Sequence, residues 1–143
     1  MLKVKDVMSS PVVSVPENAR LKDAVKLMVK KNIGSVIVET LKGVRHPEKN
    51  GIITERDIAR FIAESRDIDS LIVSECMSSP IETVDVDSSL TEASERMIAR
   101  NFRRMPVVYE GKIVGIVTSE DVTRALRFFR AKCLTGHASD GKP

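Results

Sequence analysis

The sequence predicts an α+β fold made of two β-α-β-β-α repeats that pack sheet to sheet with pseudo-two-fold symmetry. Three observations lead to this fold class. Ordered matches between the two halves of the 143-residue chain indicate an internal duplication. Each half alternates short extended segments with helices of amphipathic spacing. A half of roughly sixty residues with one small sheet buries too little apolar surface to be stable alone, so we expect the halves to form one unit.

The duplication is carried by two motifs that recur in the same order. Residues 8–11, Met-Ser-Ser-Pro, recur 69 residues later as residues 77–80. Residues 51–58 match residues 115–122 at an offset of 64, so the first copy carries five extra residues ahead of Gly51. An ordered series of matches with a single gap is typical of a true repeat.

Each repeat opens with an extended segment and a helix. The segments after the opening prolines, residues 12–15 and 81–84, are rich in β-branched residues and predict strands. Leu21, Ala24, Val25 and Met28 share one helical face in the first repeat. A similar stripe in the second repeat consists of Leu90, Ala93, Met97 and Ile98. These stripes predict helices that each bury one face.

Two strands and a closing helix complete each repeat. In the second half the strands are residues 105–109 and 112–117, and Glu110-Gly111 between them predicts a tight hairpin turn. In the first half the corresponding strands are joined by a long polar loop that holds the insertion. The closing helices are predicted to begin near Asp57 and near Asp121.

Composition argues against several functional classes. Aromatic residues make up only 3% of the chain, so a nucleic-acid stacking platform is not expected. The 23 basic and 20 acidic residues leave a net charge of +3, which is small for a dedicated polyanion binder. Two distant cysteines, Cys76 and Cys133, indicate a reducing compartment, and no apolar run is long enough to span a bilayer. We therefore expect a soluble cytoplasmic protein.

The doubled motifs resemble a tandem pair of cystathionine β-synthase (CBS) domains, also called a Bateman module. The resemblance covers roughly residues 3–130 and rests on the two Met-Ser-Ser-Pro openings, the Leu-x-x-Ala helices, the Met-Pro-Val-Val strand and the two Gly-h-h-Thr-x-x-Asp endings, where h is hydrophobic. We expect CBS domain 1 at residues 1–67 and CBS domain 2 at residues 68–130. Residues 131–143 carry no apolar stripe and are expected to form a frayed tail.

The candidate binding residues lie at strand-to-helix junctions and in the segments before them. The Gly-h-h-Thr-x-x-Asp endings run into helix N-termini, where unpaired N–H groups suit phosphate. The threonine hydroxyl can donate to a phosphate or ribose oxygen, and the aspartate can accept from ribose hydroxyls. The resemblance implies that adenosine-containing ligands bind in the cleft between the domains. It also implies that the segments after the opening prolines and after the first helix of each repeat line the base pocket, and that Ile52 and Ile116 flank the sugar. The candidate ligand-binding residues are Val12, Val13, Ile33, Gly34, Ile52, Thr54, Asp57, Ile81, Glu82, Phe102, Arg103, Ile116, Thr118 and Asp121.

The same residues allow simpler interpretations. Thr-x-x-Asp is also a capping box, which explains both side chains without a ligand. Arg103 is either a phosphate clamp or a solvated surface arginine. Glu82 makes the second site less regular, because a carboxylate stands where an apolar or neutral neighbour suits a base better.

The sequence contains no catalytic set and no metal-ligand spacing, so we expect recognition and not catalysis. The favoured function is a stand-alone regulatory module that binds AMP, ADP or ATP as a regulatory ligand and signals the bound state to an unidentified partner. S-Adenosylmethionine is less favoured, because its sulfonium would lie beside Arg103 and Arg104. The alternatives are a dimerising scaffold with vestigial pockets and a nucleic-acid-binding module. The family's pairing through helices implies a homodimer, with Phe128 or Phe129 as a candidate interface residue.

Overall fold

The computed structural model describes the backbone of residues 1–140 and the side chains of residues 1–128 and 130–132. This part of the chain forms two three-stranded sheets and a set of helices. The strands are β1 (Ser14–Pro16), β2 (Ser35–Glu39), β3 (Gly51–Thr54), β4 (Val84–Asp85), β5 (Arg104–Tyr109) and β6 (Lys112–Thr118). The α-helices are α1 (Leu21–Lys31), α2 (Glu55–Ala63), α3 (Val73–Cys76), α4 (Leu90–Arg100) and α5 (Ser119–Asp140). Short 3₁₀ turns lie at Val4–Asp6, Lys42–Val44 and Pro47–Lys49.

The two sheets have the same topology. β1 runs parallel to β2 through the α1 crossover, and β2 runs antiparallel to β3. β4, β5 and β6 repeat this order with α4 as the crossover. The β5–β6 hairpin turns at Glu110-Gly111, whose φ angles of 48° and 76° are those of the tight hairpin turn that the sequence predicts. The predicted α+β fold of two similar halves is confirmed.

Each sheet has its own apolar core. In the first core, Leu21 and Ala24 of α1 and Phe61 of α2 pack with the inward residues of β2 and β3 and are at most 1% exposed. In the second core, Ala93 and Met97 of α4 pack against β5 and β6 and are at most 2% exposed. The buried faces of α1 and α4 therefore follow the predicted apolar stripes, except at Ile98, which is 79% exposed because it lies on the outer side of α4.

The segment that opens each repeat packs on the other repeat. Val4 is fully buried in the second core, and Val73 of α3 is fully buried in the first core. Ser9 exchanges two backbone hydrogen bonds with Ile116 of β6, at 2.9 and 3.0 Å. Ser78 does the same with Ile52 of β3, at 3.0 and 3.1 Å. The opening segments therefore cross over and tie the two halves together.

Glycine is required where an opening segment crosses a strand. A Cβ at Gly115 would lie 2.7 Å from the Ser9 carbonyl oxygen and 2.8 Å from the Met8 sulfur. At Gly51, a Cβ would overlap the Met77 side chain, whose Cγ lies 2.8 Å away. The glycine of each Gly-h-h-Thr-x-x-Asp motif thus makes room for the Met-Ser-Ser-Pro motif of the opposite opening.

The strands after the opening prolines are shorter than predicted. β1 begins at Ser14 and β4 at Val84, so residues 12–13 and 81–83 precede the strands. The second repeat loses one more pairing for a covalent reason. The Val13 carbonyl accepts from the Ile37 N–H at 3.0 Å, but the residue that corresponds to Ile37 is Pro106, which has no N–H.

Two further boundaries differ from the sequence predictions. α2 and α5 begin at Glu55 and Ser119, two residues earlier than predicted, because the motif threonines are the N-caps. Residues 131–140, predicted as a frayed tail, continue α5 to Asp140, since extending a helix costs far less than starting one. Residues 141–143 and the Phe129 side chain lie outside the described part of the chain. No helix in residues 1–140 is both long enough and apolar enough to cross a membrane.

Candidate binding clefts between the repeats

The two larger cavities between the halves are each lined by both repeats. Cavity 1 encloses about 530 Å³ and cavity 2 about 590 Å³, within the usual range for small-molecule sites. Each combines the helix start of one repeat with the segment after the proline of the other. This pairing follows from the crossed opening segments.

Cavity 1 joins the opening of the first repeat to the ending of the second. Its predicted residues are Val12, Val13, Ile33, Gly34, Arg103, Ile116, Thr118 and Asp121. Cavity 2 has the reverse composition. Its predicted residues are Ile52, Thr54, Asp57, Ile81, Glu82, Phe102 and Arg103. The structure therefore brings the predicted residues together in two clefts, and their contact with a ligand stays a prediction.

Both Thr-x-x-Asp motifs form capping boxes. Asp57 Oδ2 accepts from the Thr54 N–H at 2.9 Å, and Thr54 Oγ1 accepts from the Asp57 N–H at 3.3 Å. Asp121 Oδ2 accepts from the Thr118 N–H at 2.8 Å, and Thr118 Oγ1 accepts from the Asp121 N–H at 3.0 Å. The capping interpretation is confirmed for both motifs. Each cap uses only Oδ2 of the aspartate, and Oδ1 takes no part in the cap.

The helix starts retain a donor for an anion. The first N–H of α2, that of Glu55, donates to the Gly34 carbonyl at 3.0 Å, and the first N–H of α5, that of Ser119, donates to the Arg103 carbonyl at 2.8 Å. The third N–H of each helix is taken by the cap. Among the described residues, the second N–H of each helix, on Arg56 and Glu120, has no hydrogen-bond acceptor. Both residues line their cavities.

A family model described as CBS domain matches the chain twice, at residues 4–64 and at residues 73–128. The chain belongs to the CBS domain family. A CBS domain-containing protein, YhcV of Bacillus subtilis (strain 168), is 36% identical over 85% of this chain and 84% of its own length.

Solved structures of similar pairs extend the family assignment to the arrangement. The CBS domain pair of protein MJ0100, in complex with 5′-methylthioadenosine and S-adenosyl-L-methionine, has a TM-score of 0.75 and 31% identity, covering 87% of this chain and 99% of that chain. The hexameric CBS-CP12 protein from bloom-forming cyanobacteria has a TM-score of 0.77 and 30% identity, covering 86% of this chain and 70% of that chain. The two CBS repeats therefore form a tandem CBS pair.

Charged residues link the two clefts of the CBS pair. Arg103, Arg104 and Glu55 line both cavities. Arg104 and Glu55 approach each other at Gly34, where a Cβ would overlap Oε1 of Glu55 and lie 2.9 Å from Nη1 of Arg104. Arg103 is exposed and forms no ion pair with another described residue. The Arg103 guanidinium is thus available to a ligand in either cleft.

Glu82 distinguishes cavity 2 from cavity 1. It occupies the position that Val13 holds in the first CBS repeat. Its Oε2 lies 3.6 Å from Arg96 and its Oε1 3.4 Å from Arg100, both on α4. Oε2 is buried and has no hydrogen-bond donor among the described residues. Glu82 therefore forms ion pairs with two arginines of α4, but its Oε2 accepts no hydrogen bond from the described residues.

Several cleft residues were not among the predicted ones. Arg124 lines cavity 1, where its Nη1 lies 3.2 Å from Oδ1 of Asp121. The three-residue spacing between Asp121 and Arg124 on a helix was a usable signal for this pair. Glu55 and Arg56 follow the motif threonine directly, so their place at a helix start could also have been inferred. No group of three His, Cys, Asp or Glu residues in the described part of the chain is arranged to hold a metal ion.

Proposed function

We propose that this chain is a regulatory module that binds adenosine-containing ligands in the clefts between its two CBS repeats, with AMP, ADP or ATP favoured. One observation carries the proposal. In cavity 1 an apolar wall from one repeat, including Val12 and Ile33, meets the Thr118–Asp121 helix start of the other. A flat base suits the wall, ribose hydroxyls suit an aspartate, and a phosphate suits the helix start. The MJ0100 pair, which carries adenosine compounds, supports the same ligand class.

The cations around cavity 1 favour a phosphorylated ligand. Arg103 and Arg104 line the cleft together with the unpaired N–H of Glu120, whereas Arg124 is already paired with Glu120 and Asp121 at 3.2 Å. Arginine binds phosphate through paired N–H donors, and a helix N-terminus favours negative charge. A sulfonium in the same place would meet like charges. The cavity therefore favours AMP, ADP or ATP over S-adenosylmethionine.

The module signals by binding its ligand more tightly in one conformation than in another. The ligand spans both repeats, so its binding changes how firmly the halves are held together. The partner that reads this change is unidentified, and the proposal assigns the chain no reaction. We place the module in the cytoplasm, as a homodimer, in line with its cysteine usage and with the oligomeric CBS-CP12 relative.

Thermal unfolding with AMP, ADP, ATP and adenosine tests the proposal. A ligand that binds only the folded state stabilises it by about 2.7 kcal/mol at 100 times its Kd, so the Tm rises with ligand concentration. Calorimetric titration then gives affinity and stoichiometry. Ile116→Glu, which places a carboxylate in cavity 1, should reduce the affinity, whereas the exposed Glu95→Gln on α4 is a neutral control. No Tm change with any adenosine compound at millimolar concentration would favour the scaffold alternative.

A further inference from the structure

We infer that the two clefts take adenosine nucleotides of different phosphate number, ADP or ATP in cavity 2 and AMP in cavity 1. The inference rests on the proposed function, because it takes both clefts to be nucleotide sites. Arg56 in cavity 2 and Glu120 in cavity 1 determine the difference. The internal duplication makes the two helix starts equivalent in position, but the charges around them are not equivalent.

The first difference is the residue at the second position of each helix. Arg56 of α2 and Glu120 of α5 are equivalent in the two repeats, so the same backbone position carries opposite charges. Their N–H groups are the donors that no acceptor in the described part of the chain uses. Both residues line their cavities. A phosphate that accepts from either N–H therefore lies close to a cation in cavity 2 and to a carboxylate in cavity 1.

The second difference is an excess of cations in cavity 2. The arginines that line it form no ion pair with a described residue, and they are Arg56, Arg103 and Arg104. Two of the carboxylates that line it are already paired with arginines outside the cavity. Asp57 lies 3.6 Å from Arg60, and Glu82 lies 3.6 and 3.4 Å from two arginines of α4. Among the described residues of this cavity, only the carboxylate of Glu55 is left to oppose the three guanidiniums.

Cavity 1 has no such excess. It shares two unpaired arginines and Glu55 with cavity 2, but its third arginine, Arg124, is already paired. Nη1 of Arg124 lies 3.2 Å from Oδ1 of Asp121, and Nη2 lies 3.2 Å from Oε1 of Glu120. Two carboxylates at the start of α5 therefore share one arginine, and a negative charge remains beside this helix start.

The charge of the phosphates turns this difference into a preference. A terminal phosphate carries a charge of about −1.5 to −2 at pH 7, and each further phosphate of ADP or ATP adds to it. Charges a few ångströms apart interact more strongly at a protein surface than in bulk water. The added charge is attracted by the unpaired guanidiniums of cavity 2 and repelled by Glu120 in cavity 1. A single phosphate still suits cavity 1, because the Glu120 N–H and the shared arginines remain there.

Calorimetric titration of the full chain with AMP, ADP and ATP, without divalent cations, tests the inference. We expect the affinity at one cleft to rise at least about tenfold from AMP to ATP, and the affinity at the other cleft not to rise. Wild type should therefore have one tight ATP site per chain. Arg56→Glu, which copies the second repeat, should leave none. Glu120→Arg, which copies the first repeat, should give two.

Two controls separate the local charge from other effects. Arg45→Glu makes the same change of charge at an exposed residue of the insertion loop outside both cavities, and it should keep the one tight ATP site. Adenosine has no phosphate, so its affinity should change little in any variant. Thermal unfolding establishes that each variant is folded. Arg56→Gln and Glu120→Gln, which remove only the charge, serve if the charge reversals do not fold.

The outcomes also distinguish this inference from the proposed function. If ATP and AMP bind alike at both clefts, or if the tight ATP site survives Arg56→Glu, the assignment of phosphate number is overturned and the proposed function stands. A tight ATP site that disappears equally in Arg45→Glu overturns the assignment as well, because the net charge of the chain then determines binding. If no adenosine compound binds the wild-type chain, the proposed function fails and the inference fails with it.

Discussion

The charged residues of the clefts divide into those the fold uses and those it leaves free. Asp57 and Asp121 are 9% and 6% exposed, and one carboxylate oxygen of each accepts the hydrogen bond of a helix cap. Because each aspartate caps a helix, a substitution there costs about 1 kcal/mol of stability through the cap alone. Any effect on the proposed binding would be mixed with that loss. The Arg103 side chain caps no helix and forms no ion pair with the described residues. It is therefore the cleaner probe of ligand binding.

Arg103→Ala should weaken the binding of AMP or ATP by about 1.5–3 kcal/mol, because a hydrogen bond to a charged group contributes that much. The affinity for adenosine should stay nearly unchanged. Calorimetric titration of AMP and adenosine with wild type and variant measures both effects. Arg127→Ala, an exposed arginine of α5 outside both cavities, removes the same charge as a control. Equal weakening of AMP and adenosine would mean that Arg103 packs against the ligand and does not hold phosphate.

At the scale of elements, the crossed opening segments determine which residues share a cleft. The 3₁₀ turn at Val4–Asp6 belongs to the second core, with the Val4 N–H bonded to the Ser88 carbonyl at 2.9 Å. α3 belongs to the first core, where burial raises the pKa of the Cys76 thiol. Each opening segment then passes a motif glycine and enters a cleft. Its fit against that glycine controls the cleft's shape.

Gly115→Ala should destabilise the fold by about 1–3 kcal/mol, in the range for added atoms in a packed site. The new methyl would lie 2.7 Å from the Ser9 carbonyl, so the backbone of the opening segment must move. Gly51→Ala should cost less, because its obstacle is the flexible Met77 side chain. Urea unfolding of the two variants gives the comparison. A larger loss for Gly51→Ala would contradict the proposed difference between backbone and side-chain obstacles.

A surface ion pair fastens the first opening segment and should respond to pH. A hydrogen bond and the charge of Lys5 lower the pKa of Asp87, and Asp87 in turn raises the pKa of Lys5. The lowered pKa of Asp87 contributes stability above the usual aspartate range, about pH 4, and loses it as pH falls through the folded value. The raised pKa of Lys5 contributes stability below the usual lysine range, about pH 10. This stability is lost as the pH rises through the folded-state pKa of Lys5.

Asp87→Asn should therefore lower the urea midpoint slightly at pH 7, and the difference from wild type should shrink as the pH falls below about 4. The side chains of Lys5 and Asp87 are 50% and 56% exposed, so the difference should also shrink in high salt. Glu95→Gln is the exposed control with no ion pair among the described residues. A difference that persists unchanged at pH 3 would show that the side chain acts by packing.

The sequence predicted the local chemistry well and the long-range pairing less well. Helix caps, the hairpin turn and the buried faces of α1 and α4 depend on residues close together in the chain, so their patterns are readable. The sequence does not predict that each opening segment packs on the other repeat. Two near-identical Met-Ser-Ser-Pro motifs and two near-identical glycine motifs fit either pairing equally well. The short length of β4 could have been predicted, because Pro106 lies where a strand N–H is needed.

At the scale of the whole molecule, two pairs of exposed apolar helix residues repeat with the internal symmetry. Val29 of α1 and Ile98 of α4 are equivalent positions, exposed to 76% and 79%. Ile62 of α2 and Leu126 of α5 are also equivalent, exposed to 63% and 62%. Apolar residues exposed at matching places in both repeats favour a surface that pairs with a second copy.

The proposed homodimer should have twice the chain mass of 15.8 kDa by light scattering at tens of micromolar. Ile98→Glu with Leu126→Glu should give a monomer, because two charges would be buried in an apolar contact. Leu41→Glu, at a residue 87% exposed on the insertion loop, should leave the dimer intact. Circular dichroism establishes that each variant is folded. A wild-type monomer, or a double variant that stays dimeric, would exclude pairing through these helices, since the contact cannot tolerate two carboxylates without partners.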